Sequence, residues 1–243
     1  YMIPKNVSFI IKNSKIILVY RKAKYIIIEL DNSFSIIIHL GMSGRIKFYK
    51  IENSPILEKH DHIEIFISNN IKIIMNDPRR FGIFDIIKTK KINRHKYFSS
   101  LGKDPLSQDF NFAYLYAKIN ISHSPIKNIL LNQKIISGIG NIYACEILFD
   151  SRISPLKKGK NISEKKLKHL LNSIKKILKK AINNKGSSIK NYRLADGSLG
   201  NFQNKFNVYN KAGKYIKIKN KNMKIIKTIQ SGRSTFYCPF LQK

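Results

Sequence analysis

The sequence predicts an α+β protein in which a β half, a helical half and a terminal hairpin follow one another. Three observations carry that reading. Short Ile-rich runs separated by turn residues fill positions 7 to 87, the apolar spacing becomes helical after about 109, and a strand–turn–strand pattern returns between Val208 and Tyr237.

The β runs are VSFIIK, KIILVY, KYIIIEL, FSIIIHL, HIEIFIS, IKIIM and FGIFDII. Branched and aromatic side chains suit a pleated, half-buried surface. Asp31-Asn32 and Asn69-Asn70 stand where hairpin turns belong. Many short strands of this kind suggest a sandwich or a barrel. In the helical half, Leu167, Leu170, Leu171, Ile174, Ile177, Leu178, Ala181 and Ile182 share one face and lysines occupy the other. Ser163 is placed to cap that helix and Gly186 to end it. NIYACEILFD (141–150) and FAYLYAKI (112–119) read as two further helices. The expected division is a β domain over 1–105, a helical domain over 106–205 and a hairpin over 206–243.

A chain of 243 residues can bury a real core. Its longest apolar runs are far too short to span a bilayer, which excludes a helical membrane protein. Two cysteines cannot build a disulfide framework and no signal peptide is recognisable, so a cytoplasmic protein is expected. The net charge of +32, spread along the chain, favours a polyanionic partner, nucleic acid before acidic membrane. Of the 46 basic residues 38 are Lys, and Ile and Asn are also abundant, a bias that an AT-rich genome produces by itself. The eight arginines (21, 45, 79, 80, 94, 152, 193 and 233) are therefore the more informative cations.

Several short stretches carry chemistry. SGIGNIYACE (137–146) sets glycines and Asn141 at a helix start, where outward N–H groups suit a phosphate; on spacing alone an ordinary glycine turn capped by Asn141 is the commoner reading. DPRRFG (77–82) puts Arg79, Arg80 and Phe81 on a turn between strands. An exposed aromatic there could wedge between bases, or Phe81 could be a core residue beside solvated arginines. HLGMSGR (39–45) offers Met42 between two glycines. KHDH (59–62) hints at metal, but nothing else completes a site.

Taken in order and at these intervals, HLGMSGR, KHDH, DPRRFG, LGKDPLS, SGIGNIYACE and GRSTFYC resemble the bacterial formamidopyrimidine-DNA glycosylases, from about Val7 to Lys243. The resemblance implies a β-sandwich domain, a helix-two-turns-helix domain and a β-hairpin finger, with double-stranded DNA in the cleft between. Such an enzyme flips an oxidised purine (8-oxoguanine or a formamidopyrimidine) out of the stack, removes it, and cuts the abasic site by β,δ-elimination. Met42, Arg79 and Phe81 would fill the gap, with Arg79 facing the orphaned cytosine. Lys24, in RKAKY, would serve acid–base work at the lesion, and Arg233 would hold the lesion phosphate during the late elimination. His60, His123, Lys127 and Asn141 would contact the DNA backbone, His123 weakly or pH-dependently because the family more often has lysine there. RLADGSLGNFQ (193–203) would be the loop that covers the extruded base. A monomer with no membrane partner is expected.

Two departures qualify the expectation. The family's nucleophile is an N-terminal proline amine, followed by a catalytic glutamate, and that segment aligns ahead of Tyr1. The chain therefore reads as a fragment, inactive as it stands, and a catalytically dead DNA-binding module of the same fold is the alternative. The family's finger also binds zinc through four cysteines. Those places fall here on Ile216, Lys219, Cys238 and Leu241, so no metal or other cofactor is expected and Cys238 is a remnant.

Overall fold

The computed structural model describes residues 3–188, 197–218 and 221–243. Two compact units emerge, Tyr1–Ser99 with Asn184–Gln203, and Ser100–Asn183 with Asn204–Lys243.

The first unit contains a short helix α1 (Val7–Ile11) and seven strands: β1 (Ile16–Lys22), β2 (Tyr25–Leu30), β3 (Phe34–His39), β4 (Arg45–Lys50), β5 (Asp61–Ile67), β6 (Ile71–Asn76) and β7 (Ile83–Lys88). They form an antiparallel sheet β1-β2-β3-β7 and a second sheet β4-β6-β5. Leu30, Ile36, Ile38 and Phe84 from one sheet meet Met75, Ile46, Ile63 and Ile65 from the other in a single apolar cluster, which makes the unit a sandwich. Asn69 and Asn70 both take positive φ, as the predicted turn requires.

Two sequence expectations need correction. VSFIIK is helical at Val7–Ile11, not a strand, because that turn puts Val7 and Ile11, four apart, onto the shared cluster. RIKFYK, which is not among the expected strands, is β4, paired along its whole length with β6. Its cations are matched by acids: Lys47 lies 2.9 Å from Glu58 and 3.2 Å from Asp61, and Arg45 lies 3.6 Å from Glu58.

The second unit holds α2 (Phe112–Ile119), α3 (Ile126–Leu131), α4 (Asn141–Asp150) and α5 (Glu164–Asn183), then β8 (Tyr215–Ile218), β9 (Lys221–Lys224), β10 (Ile226–Gln230) and β11 (Arg233–Tyr237). Asn111 caps α2, its side chain accepting from the Tyr114 N–H at 3.0 Å. Leu115, Ile119, Ile129, Leu167, Leu170 and Ile174 are buried in this unit. The predicted terminal hairpin is two hairpins, β8–β9 and β10–β11. Ile226 pairs with Tyr237 across the second.

The unit boundaries also differ from the sequence division. The first segment of the β unit stops at Ser99 and Asn184–Gln203 rejoins it, while the finger strands fall in the same unit as the helices. Phe236 and Cys238 join Cys145 and Phe149 of α4, with Val208, Met223 and Ile225, in one apolar cluster. No helix among the described residues is long and apolar enough to cross a membrane.

Candidate nucleic-acid interface

One end of the sandwich gathers the loops that the sequence singled out. Tyr25 pairs with His39 and His39 with Ile83, so the β1–β2 turn bearing Lys24, the loop after β3 and the loop before β7 all lie at that end. Lys24 is exposed there. Burial, with Lys24 adding to it, holds the His39 imidazole below the usual histidine range. Its Nδ1 accepts the Gly41 N–H at 2.9 Å.

Asp77 organises the site. The residue is 0% exposed, and its carboxylate accepts from the Ser43 hydroxyl at 2.6 Å, the Gly82 N–H at 2.7 Å and the Arg79 N–H at 3.3 Å. One buried charge thus ties the HLGMSGR loop to the DPRRFG turn. KHDH joins as well: the Asp77 N–H donates to the His60 carbonyl at 2.9 Å, and His62 Nε2 lies 3.0 Å from the Asp77 carbonyl. Gly41, at φ 61°, passes so close to the Phe81 backbone that a Cβ there would sit 2.7 Å from its carbonyl carbon. Any larger residue would push the two loops apart.

On this support Met42 and Phe81 project outward, 75% and 57% exposed. The Arg79 guanidinium lies over the Phe81 ring at 4.7 Å, and its Nη1 is 3.9 Å from the Met42 sulfur. Of the two readings that the sequence left open for Phe81, the core residue is excluded. The arrangement is an apolar tip with one cation, held by a rigid base, suited to enter a gap between stacked rings.

In the second unit His123 is exposed on the loop between α2 and α3. Asn141 is the first residue of α4, and Gly140 is the cap; the reading of Asn141 as the cap is therefore corrected. Its side-chain amide instead donates to the Ser234 carbonyl at 2.9 Å. Arg233 is exposed at the start of β11. Lys127 departs furthest from expectation: it is 0% exposed, donating to the Thr235 hydroxyl at 2.6 Å and the Ser234 carbonyl at 3.1 Å. A side chain turned wholly inward cannot be the surface phosphate contact expected of it. Burial pushes its ammonium below the usual lysine range, with Arg233 adding to the effect and Cys145 opposing it.

Comparison with known proteins agrees with this geometry. Residues 2–84 match the formamidopyrimidine-DNA glycosylase N-terminal domain, and residues 101–193 match the H2TH domain of the same glycosylase. A formamidopyrimidine-DNA glycosylase of Roseobacter denitrificans is 41% identical over 229 residues, 92% of this chain and 81% of that protein. Another from Rickettsia bellii is 40% identical over 243 residues, 100% of this chain and 87% of its own. The chain belongs to the formamidopyrimidine-DNA glycosylase family. The solved complex between the Lactococcus lactis Fpg and an abasic site containing DNA shares its fold, with a TM-score of 0.86, 34% identity and coverage of 95% of this chain and 83% of that one. A MutM complex with carbocyclic 8-oxo-G containing DNA gives 0.84 and 34%, over 95% and 82% of the two chains.

Of the four places that the resemblance gave to zinc ligands, three lie among the described residues, at Ile216, Cys238 and Leu241. Ile216 and Leu241 carry no ligating atom, and both pack on the apolar cluster that contains Cys238. Lys219 lies outside the described residues, as do the first four residues of RLADGSLGNFQ. Among the described residues no three of His, Cys, Asp and Glu come together in a metal-sized group.

Sequence reasoning missed two buried acids in this glycosylase fold. Asp77 opens the DPRRFG stretch, where nothing in the letters marks it as buried. Glu146, 0% exposed on α4, accepts from the Val208 and Tyr209 N–H groups at 3.0 and 2.9 Å and from the Asn207 N–H and side-chain amide at 2.8 and 3.0 Å. Its signal was available: an acid set among Ala144, Cys145, Ile147 and Leu148 in a helix must find donors.

Proposed function

We propose that the protein recognises oxidised purines and abasic sites in double-stranded DNA, as a base-excision repair glycosylase with β,δ-elimination lyase chemistry. The exposed Met42–Arg79–Phe81 group, hung from buried Asp77, carries the reading. A base inside a duplex is out of reach of a protein nucleophile, so the nucleotide must be everted and its place filled. Phe81 offsets the lost stacking, and Arg79 offers its guanidinium to the base left without a partner. Lys24 serves at the lesion in proton transfer or phosphate contact. On the second unit, Arg233 engages the lesion phosphate, with Asn141 and His123 near the backbone and His60 contributing from the first. The DNA in the Lactococcus lactis and MutM complexes supports the choice of partner.

If phosphate neutralisation supplies much of the affinity, the logarithm of the binding constant falls linearly with that of salt, by about 0.9 per phosphate contacted. A fluorescence titration with abasic duplex, from low to physiological salt, checks it. A flat profile would mean that the charge of +32 is composition and no binding surface.

We also propose that the finger is folded without zinc, its apolar cluster doing the work of the metal. Elemental analysis of the purified protein is expected to find no stoichiometric zinc, and a chelator is expected to leave DNA affinity unchanged. One zinc per chain, lost together with binding on chelation, would refute it.

A further inference from the structure

The fingertip is fastened on both sides of Arg233. Ser231 and Gly232, at φ 47° and 72°, form the two-residue turn that pairs Gln230 with Arg233. The Gln230 amide donates to the Pro155 carbonyl at 3.2 Å, and the Asn128 amide to the Ser231 hydroxyl at 3.1 Å. On the far side, the Ser234 carbonyl accepts from both Lys127 and Asn141, and the Thr235 hydroxyl from Lys127. Each bond lands on a neighbour of Arg233, while Arg233 itself faces solvent.

A buried ammonium is costly unless well partnered, and here its two acceptors are neutral. An apolar side chain would fill the same place more cheaply, but it could not grip a carbonyl. We infer that Lys127 is a positioning residue: it fixes the backbone after Arg233 and so aims the guanidinium at the DNA phosphate, without touching DNA. The inference rests on the proposed role of Arg233.

A double-mutant cycle tests it. Affinity for a duplex with one abasic-site analogue is measured over a salt series for the parent, Lys127→Met, Arg233→Ala and the double variant. Each single change is expected to weaken binding by roughly tenfold. Each should also lower the salt slope by about 0.9, and the double variant should lose no more than either alone, since both remove one phosphate contact. Independent losses, with the slope down by about 1.8, would give Lys127 a phosphate of its own and overturn the inference. It is equally overturned if Lys127→Met lowers only the melting temperature and leaves affinity and slope intact. An Arg233→Ala protein that binds like the parent would instead sink the reading of Arg233, and the inference with it. Should Lys127→Met not fold, Lys127→Gln replaces it, and the same comparison of double with single variants decides.

Discussion

Glu146→Ala is expected to destabilise the second unit by about 4 kcal/mol, well beyond the loss from truncating an exposed side chain. The carboxylate is 0% exposed and accepts four N–H groups from Asn207, Val208 and Tyr209. Removing it strands three backbone donors and one amide inside the protein, where each unmet group costs about 1–3 kcal/mol. Val208 lies in the apolar cluster beneath the finger and Tyr209 packs against it, so the same change loosens the support of β11. Thermal unfolding should show a fall of about 10 °C in the transition of that unit. Glu164→Ala, at the exposed start of α5, is the control and should change stability by less than about 0.5 kcal/mol. A Glu146→Ala protein within about 1 kcal/mol of the parent would mean that water replaces the carboxylate without penalty.

How much of this was legible in the sequence depended on how local the cause was. The bounds of α2 and α4 could be read directly, because helical periodicity and glycine or asparagine at their starts are local signals. Asn69-Asn70 announced its turn for the same reason. β4 was hidden because its alternating cations look solvated until Glu58 and Asp61 arrive from further along the chain. α1 was hidden because four apolar residues in five suit a strand equally well, and only packing on the sandwich core decides.

The candidate site divides in the same way. Motif spacing located Met42, Arg79 and Phe81, and the structure brings them together. It could not show that Asp77 holds them, since a turn aspartate and a buried acceptor have the same letter. Lys127 was misread for a related reason. The resemblance put it on phosphate, and the acceptors that turn it inward stand more than a hundred positions later, at Ser234 and Thr235.

The second large effect concerns Phe81. Its side chain is more than half exposed, at 57%, so Phe81→Ala should leave the melting temperature nearly unchanged, within about 0.5 kcal/mol in stability. Its proposed work is done only on damaged DNA, where an inserted ring offsets unstacking worth a few kcal/mol. The measurement that tests this most directly is the ratio of affinities for duplex with one abasic analogue and for the same duplex intact. It is taken at one salt concentration for the parent and for folded Phe81→Ala. The parent is predicted to favour the damaged duplex by at least roughly tenfold, and the variant to lose most of this preference while binding intact duplex as before. An unchanged ratio in the folded variant would contradict the gap-filling role.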